Sequence, residues 1–258
     1  MSKLALITGA SSGIGREFAR IHAKTGGNLC LVARDERNLI EVKNELESEF
    51  KIKANYIVID LSKQNAARNL YDKTKELGLE VDYLINNAGF GLRGKFDELP
   101  LDKQVNMINL NITAVTELSY LFLQDFKSKN EGKILNTSST ACFTPGPLQA
   151  VYYASKSYVT FLGDALTEEL RDTNITVTSL LPGATDTSFG KVSGMDKTSM
   201  FKKMSSPTSV AQDGYGAMMK GDMQVISGLS FSQKVMMKLL PFLPKKMVLK
   251  EVRKQQEI

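Results

Sequence analysis

The sequence predicts an α/β fold: a doubly wound parallel sheet of about seven strands, with helices on both faces, in a single domain. Two observations carry this expectation. Short apolar runs alternate with longer amphipathic stretches along most of the 258 residues, and strands joined through intervening helices pair in parallel. A glycine-rich turn, Thr8-Gly9-Ala10-Ser11-Ser12-Gly13-Ile14-Gly15, also follows the first run and opens the first helical stretch. Strand-to-helix turns of this kind lie at the ligand edge of open parallel sheets.

The elements follow in order. Leu4–Thr8, Asn28–Val32, Ala54–Ile59, Val81–Asn86, Lys133–Thr137 and Thr176–Leu181 read as strands buried on both faces, and Gln224–Ile226 as a seventh. Asp35–Phe50, Ser62–Leu77, Leu101–Phe126 and Val151–Arg171 read as helices between them. Right-handed crossovers then give the doubly wound arrangement. No internal repeat or low-complexity linker interrupts residues 1–230. Thr187–Ser209 breaks the alternation with a run rich in Ser, Thr, Lys, Gly and Met. It follows the sixth strand at the ligand edge, so 187–215 is read as a lid over the substrate. Residues 231–258 form a basic amphipathic extension, in which Met, Leu and Phe clusters precede Lys245, Lys246, Lys250, Arg253 and Lys254. This tail is expected to pack on its own domain or a neighbouring subunit and to act on assembly or location, not on chemistry. Membrane contact is the less favoured reading.

Composition narrows the function classes. With 42% hydrophobic and 24% charged residues, the chain can bury a large core. A net charge of +5 suits phosphate-bearing ligands and gives no case for nucleic acid. Cys30 and Cys142 have no metal-site spacing and are too few for a disulfide scaffold, so no metal and a reduced, cytoplasmic setting are expected. His22 is the sole histidine, which argues against a Ser-His-Asp triad and leaves it a residue of the first helix. No apolar run reaches the ~20 residues of a membrane span, and the N-terminal run is too short for a signal segment.

Two constellations carry chemistry. Gly9, Gly13 and Gly15 let the backbone approach a pyrophosphate, and the helix start supplies free N–H groups and a positive dipole end. Their spacing, Gly-x3-Gly-x-Gly, differs from the common Gly-x-Gly-x-x-Gly fingerprint. In Val151-Tyr152-Tyr153-Ala154-Ser155-Lys156, Tyr152 and Lys156 lie four apart and share a helix face. A tyrosine holds its proton up to about pH 10. A neighbouring ammonium stabilises the phenolate and lowers that value. Tyr153 stands three residues before the same lysine, so geometry alone leaves both tyrosines open.

Together these motifs resemble the short-chain dehydrogenase/reductase family, and within it the NADP-preferring ketoreductases. The resemblance covers roughly residues 4–190. Its Tyr-x3-Lys motif selects Tyr152 over Tyr153 as proton donor, with Lys156 lowering its pKa and holding the nicotinamide ribose. It selects Ser139 over Ser138 to position the substrate oxygen. It selects Asn111 over Asn109 to support a proton relay through water. For the cofactor it implies Gly9, Ser11, Ser12, Gly13, Ile14 and Gly15 at the pyrophosphate, with Asp60 and Leu61 beside the adenine. Asn87, Ala88 and Gly89 would line the cleft, and Pro182, Gly183 and Thr187 would lie under the nicotinamide. Arg34, ending the second strand, falls where NADP-using members carry a basic residue, and a guanidinium suits a 2′-phosphate. Asp35 follows it, an acid of the kind that accepts from a ribose 2′-hydroxyl.

The implied activity is NADP(H)-dependent hydride transfer between nicotinamide and a carbonyl or secondary alcohol. A 3-oxoacyl thioester, a bulky apolar ketone and a small hydroxy acid all remain open as substrates. Cys142, Phe143, Pro145 and Leu148 suggest an apolar pocket wall. A non-catalytic NADP-binding redox sensor is the rival reading. The resemblance also implies a homodimer or homotetramer paired through the helices near Leu101–Phe126 and Val151–Arg171.

Overall fold

The computed structural model describes residues 2–257, with every side chain among them except that of Lys238. Strands β1 (Leu4–Thr8), β2 (Asn28–Ala33), β3 (Ala54–Val58), β4 (Tyr83–Asn86), β5 (Gly132–Thr137), β6 (Ile175–Pro182) and β7 (Gln224–Ser227) form one sheet. Its order is β3-β2-β1-β4-β5-β6-β7, and every neighbouring pair is parallel. The strand order reverses between β1 and β4, which opens a crevice at their carboxyl ends.

Among the described residues ten helices surround the sheet: α1 (Gly13–Lys24), α2 (Glu36–Phe50), α3 (Ala66–Glu76), α4 (Leu101–Ile108), α5 (Ala114–Lys129), α6 (Ala150–Glu169), α7 (Phe189–Ser193), α8 (Pro207–Lys220), α9 (Phe231–Leu239) and α10 (Lys245–Gln256). Two cores lie on opposite faces of the sheet. Phe18 of α1, Leu39 and Leu46 of α2, and Val210 and Met218 of α8 pack on one. Leu70 of α3 and Phe122 and Phe126 of α5 pack on the other. Burying one such side chain stabilises by about 1.5–3 kcal/mol, so the periodic apolar positions set both layers.

The structure departs from the sequence expectations in four places. β3 is not buried on both faces: Asn55 and Val58 are exposed, because this strand forms the sheet edge. Asp35 lies outside α2 and caps it, accepting from the Asn38 amide at 3.1 Å. Helix α3 begins at Ala66, not Ser62. The expected helix 101–126 is widened by a π turn, Asn109–Thr113, between α4 and α5. His22 is 1% exposed and held between the Tyr215 hydroxyl at 2.8 Å and the Lys3 carbonyl at 3.0 Å. It is a satisfied core residue.

The segment read as a lid has two parts. Residues 187–205 carry the short α7 and a 3-10 turn, and Thr185 bridges to Ser205 at their base. Residues 207–215 belong to α8, which packs on α1 and β6. The tail folds back over the same edge. Val248, Val252 and Gln256 recur every four residues along α10, and Val248 and Gln256 are buried. The Gln256 side-chain amide donates to the Tyr153 hydroxyl at 2.8 Å, and Arg93 Nε donates to the Gln256 carbonyl at 2.6 Å.

Candidate active site

At the crevice between β1 and β4 the two strand ends are stitched by Thr8. Its hydroxyl accepts from the backbone amides of Asn87 and Ala88 at 2.9 and 3.0 Å, and the Asn87 side chain donates to the Thr8 carbonyl at 3.0 Å. A cleft of about 1280 Å³ opens there. Gly9, Ser11, Ser12, Gly13 and Ile14 line one end, with Arg34, Asp60 and Leu61. Asn87 and Ala88 line it next to Gly9, and Thr187 next to Gly13; Gly89, Ser139, Tyr152, Lys156, Pro182 and Gly183 line the rest.

The residues at the first end fit a dinucleotide. Gly9 adopts φ +67°, and a Cβ there would lie 2.9 Å from Asn87 Nδ2. Ser12 precedes α1 without a side-chain capping bond to any described residue. The first-turn amides of α1 therefore stay free for a pyrophosphate. Gly15 does not line the cleft, contrary to expectation. A Cβ at Gly15 would sit 2.2 Å from the Gly9 carbonyl oxygen, so its role is close packing of α1 beneath the turn. Asp35 is committed to capping α2, its other carboxylate oxygen accepting from Asn38 Nδ2 at 2.7 Å. Arg34 beside it is exposed. Burial tends to raise the Asp60 pKa, but bonds from the Ser62 hydroxyl and amide, with the charges of Arg34 and Lys63, hold it below the usual carboxylate range.

The candidate catalytic residues converge from three elements. Tyr152 and Lys156 lie on one face of α6, both nearly fully buried. Ser139 lies close enough to Tyr152 to pull its pKa down, accepts from the Ala141 amide at 3.1 Å and reaches the Pro182 carbonyl at 3.5 Å. Ser138 instead turns into α6, donating to the Lys156 carbonyl at 2.8 Å. Tyr153 points away to Gln256, which separates the two tyrosines that spacing alone left open. Asn109 braces the loop after β3 by donating to the Ser62 carbonyl at 3.2 Å. Asn111, 1% exposed, sits inside the π turn behind the cleft. Its amide donates to the Phe90 carbonyl and Ser155 hydroxyl at 3.0 and 3.1 Å, and its oxygen accepts from the Phe90 amide at 3.2 Å. A widened turn of this kind often marks a functional position.

Electrostatics at the pair differ from the expectation. Burial raises the Tyr152 pKa above its usual value, opposed by the Ser139 hydroxyl. Lys156 does not lower it in this arrangement. Its ammonium lies 5.8 Å from the Tyr152 ring centre and donates to the Thr137 carbonyl at 2.7 Å. Burial lowers the pKa of Lys156 itself to about 8.

The outer wall is the part the sequence reading missed. Cys142, Phe143, Pro145 and Leu148 do not line the cleft; Cys142 packs inward with Leu181 and Ile226. The apolar wall comes from Phe90, Phe189 and Met195, and from Met236, Leu240 and Val248 of the tail. Phe189 of α7 lies 5.4 Å from the Tyr152 ring. The four-residue recurrence of Val248, Val252 and Gln256 was the sequence signal for a buried face.

Comparisons with known proteins agree with this geometry. The family model for short chain dehydrogenase matches residues 3–198. The very-long-chain 3-oxoacyl-CoA reductase of Homo sapiens is 34% identical over 198 residues, covering 74% of this chain and 62% of that protein. The match thus spans less than two thirds of that relative. Among solved structures, a short-chain dehydrogenase from Sphingobium yanoikuyae in complex with NADPH superposes with a TM-score of 0.83 at 28% identity, covering 90% of both chains. A bulky-bulky ketone specific alcohol dehydrogenase from Comamonas testosteroni gives 0.79 at 29% identity, covering 90% and 89%. With the matched model, the parallel sheet and the glycine turn in place, the chain belongs to the short chain dehydrogenase family.

Proposed function

We propose that this chain is an NADPH-dependent reductase of ketones that carry a long apolar substituent, such as 3-oxoacyl thioesters. The observation that carries this reading is the cleft itself. It runs from Ser139, Tyr152 and Lys156 directly onto an apolar wall built by α7, α9 and α10. A small hydroxy acid would leave that wall unfilled. The names of the human relative and of the Comamonas enzyme support the same substrate class. A redox sensor without catalysis finds no support, since Asn111, Ser139, Tyr152 and Lys156 are all present and the relatives are named as reductases.

When bound in the cleft, a nicotinamide cofactor would supply the hydride. The protein's own groups do the rest. Ser139 holds the substrate oxygen against the Tyr152 hydroxyl, which gives up its proton as the oxygen becomes an alkoxide. Burial keeps Tyr152 protonated until that charge develops. Lys156 holds the nicotinamide ribose and, with Asn111, returns a proton to Tyr152. An assay of NADPH consumption against ketones graded in length tests the reading: activity rises with apolar length, and activity confined to small polar ketones contradicts it.

Arg34 carries the preference for NADPH. Arg34→Ala should weaken NADPH by about tenfold or more while NADH changes little, because a hydrogen bond to a charged group is worth about 1.5–3 kcal/mol and only NADPH has the 2′-phosphate. Fluorescence titration of both cofactors checks this, and equal losses would remove Arg34 from the phosphate site.

The protein forms a homo-oligomer through α4, α5 and α6. Leu101, Val105 and Ile108 form an exposed apolar stripe on α4, and Tyr120 and Phe161 lie 64% and 69% exposed on α5 and α6. Isologous pairing would cover such a face. Light scattering should give a multiple of 28.5 kDa, and Phe161→Glu should shift it toward monomer.

A further inference from the structure

The tail has a second apolar face that the cleft does not use. Phe231, Val235 and Leu239 follow at four-residue intervals on α9 and so form one stripe. Phe231 is 83% exposed and Leu239 50%, and Phe242, in the turn after α9, is 84% exposed. None of these lines the cleft. Immediately after Phe242, the exposed Lys245 and Lys246 open α10, and the exposed Lys250 and Lys254 follow where that helix borders the cleft. Residues 231–258 hold seven Lys/Arg and two Asp/Glu, so their surplus of five equals the whole chain's net charge of +5. The molecule's excess charge is therefore concentrated beside its most exposed aromatic rings.

Large exposed rings on one surface mark a contact. A second copy is a poor occupant, because two-fold pairing of this face would bring two clusters of like charge together. The apolar face of α4, α5 and α6 already offers a surface for that purpose. No helix among the described residues is long and apolar enough to cross a membrane, which leaves in-plane contact as the way such a tail would meet lipid.

We propose that this face docks on an anionic lipid bilayer, with Phe231, Leu239 and Phe242 entering the interfacial layer and the lysines lying on acidic headgroups. Met236 and Leu240, on the same elements, line the cleft. Docking therefore brings the tail's wall of the cleft beside the membrane, where an apolar ketone partitions. That access role rests on the reductase reading; the docking does not.

The test uses the full chain with vesicles of phosphatidylcholine alone or with phosphatidylglycerol, in the absence of substrate and cofactor. The wild type should co-sediment with the anionic vesicles and release as salt rises. Each basic residue at an anionic surface is worth about fivefold in binding. Lys245→Glu/Lys246→Glu should therefore weaken it by at least about 25-fold. Phe231→Ser/Phe242→Ser should abolish it, with NADPH affinity and light-scattering mass unchanged. Failure of the wild type to bind anionic vesicles overturns the proposal. So does undiminished binding by both variants, or a change of oligomer mass in Phe231→Ser/Phe242→Ser, which would assign the face to a second subunit. Failure of docking leaves the ketone assay unaffected, so the two readings fall separately.

Discussion

Tyr152→Phe is expected to lower turnover by about 10²–10⁴-fold, the range a positioned general acid supplies, while NADPH still binds. The substitution removes the hydroxyl and keeps the ring, so its packing on Phe189 and its edge contact with Tyr153 survive. Tyr153→Phe is the matched control. Its hydroxyl is 2.8 Å from Gln256 Nε2 and plays no part beside Ser139. Its loss leaves a buried amide unsatisfied, costing about 1–3 kcal/mol of stability, but turnover per folded molecule should stay near wild type. A dead Tyr153→Phe beside an active Tyr152→Phe would reverse the assignment.

Truncation after Ser230 is expected to raise KM for long-chain ketones on the order of fiftyfold, with little effect on short ones. The cut removes Met236, Leu240 and Val248 from the cleft wall. A substrate chain that loses cover over three methylenes forfeits about 2.4 kcal/mol, at ~0.8 kcal/mol each. NADPH affinity should persist, because the glycine turn, Arg34 and Asp60 sit at the ends of β1, β2 and β3, none of which the cut removes. Thermal unfolding identifies the folded fraction, since the cut also frees the Tyr153 hydroxyl and Arg93. Equal KM values for long ketones in both forms would remove the tail from the substrate wall. This prediction replaces the sequence-based expectation that the tail stands apart from the chemistry.

The parallel sheet and its seven strands were legible because fully buried strands read as apolar runs. β1, buried throughout, matches its run residue for residue. β3 was misjudged, since a short apolar run such as Ala54–Ile59 does not say whether its outer side meets a helix or water. The sequence also placed Arg34, Asp60 and Ser139 at the cleft, because each ends or closely follows a strand at the crevice edge. Gly15 was misplaced for a physical reason. Tight turns and close helix packing both demand glycine, and only the 2.2 Å at which a Cβ on Gly15 would meet the Gly9 carbonyl oxygen separates them. The π turn at Asn111 was not legible: it depends on Phe90 and Ser155, distant in sequence, capturing one side chain. The pocket wall was read from residues adjacent to Ser139, whereas it is built by Phe90 and by α7, α9 and α10, whose Phe189 and Val248 lie 50 (189 − 139) and 109 (248 − 139) residues downstream.

The most direct test is NADPH oxidation by the wild-type chain, followed at 340 nm, with a long-chain 3-oxoacyl thioester, a bulky diaryl ketone and a short ketone compared at equal concentration. The proposed function predicts turnover with the first two and a lower kcat/KM for the short ketone. NADPH that binds but is consumed with none of the three would contradict it and return the chain to the class of nucleotide sensors.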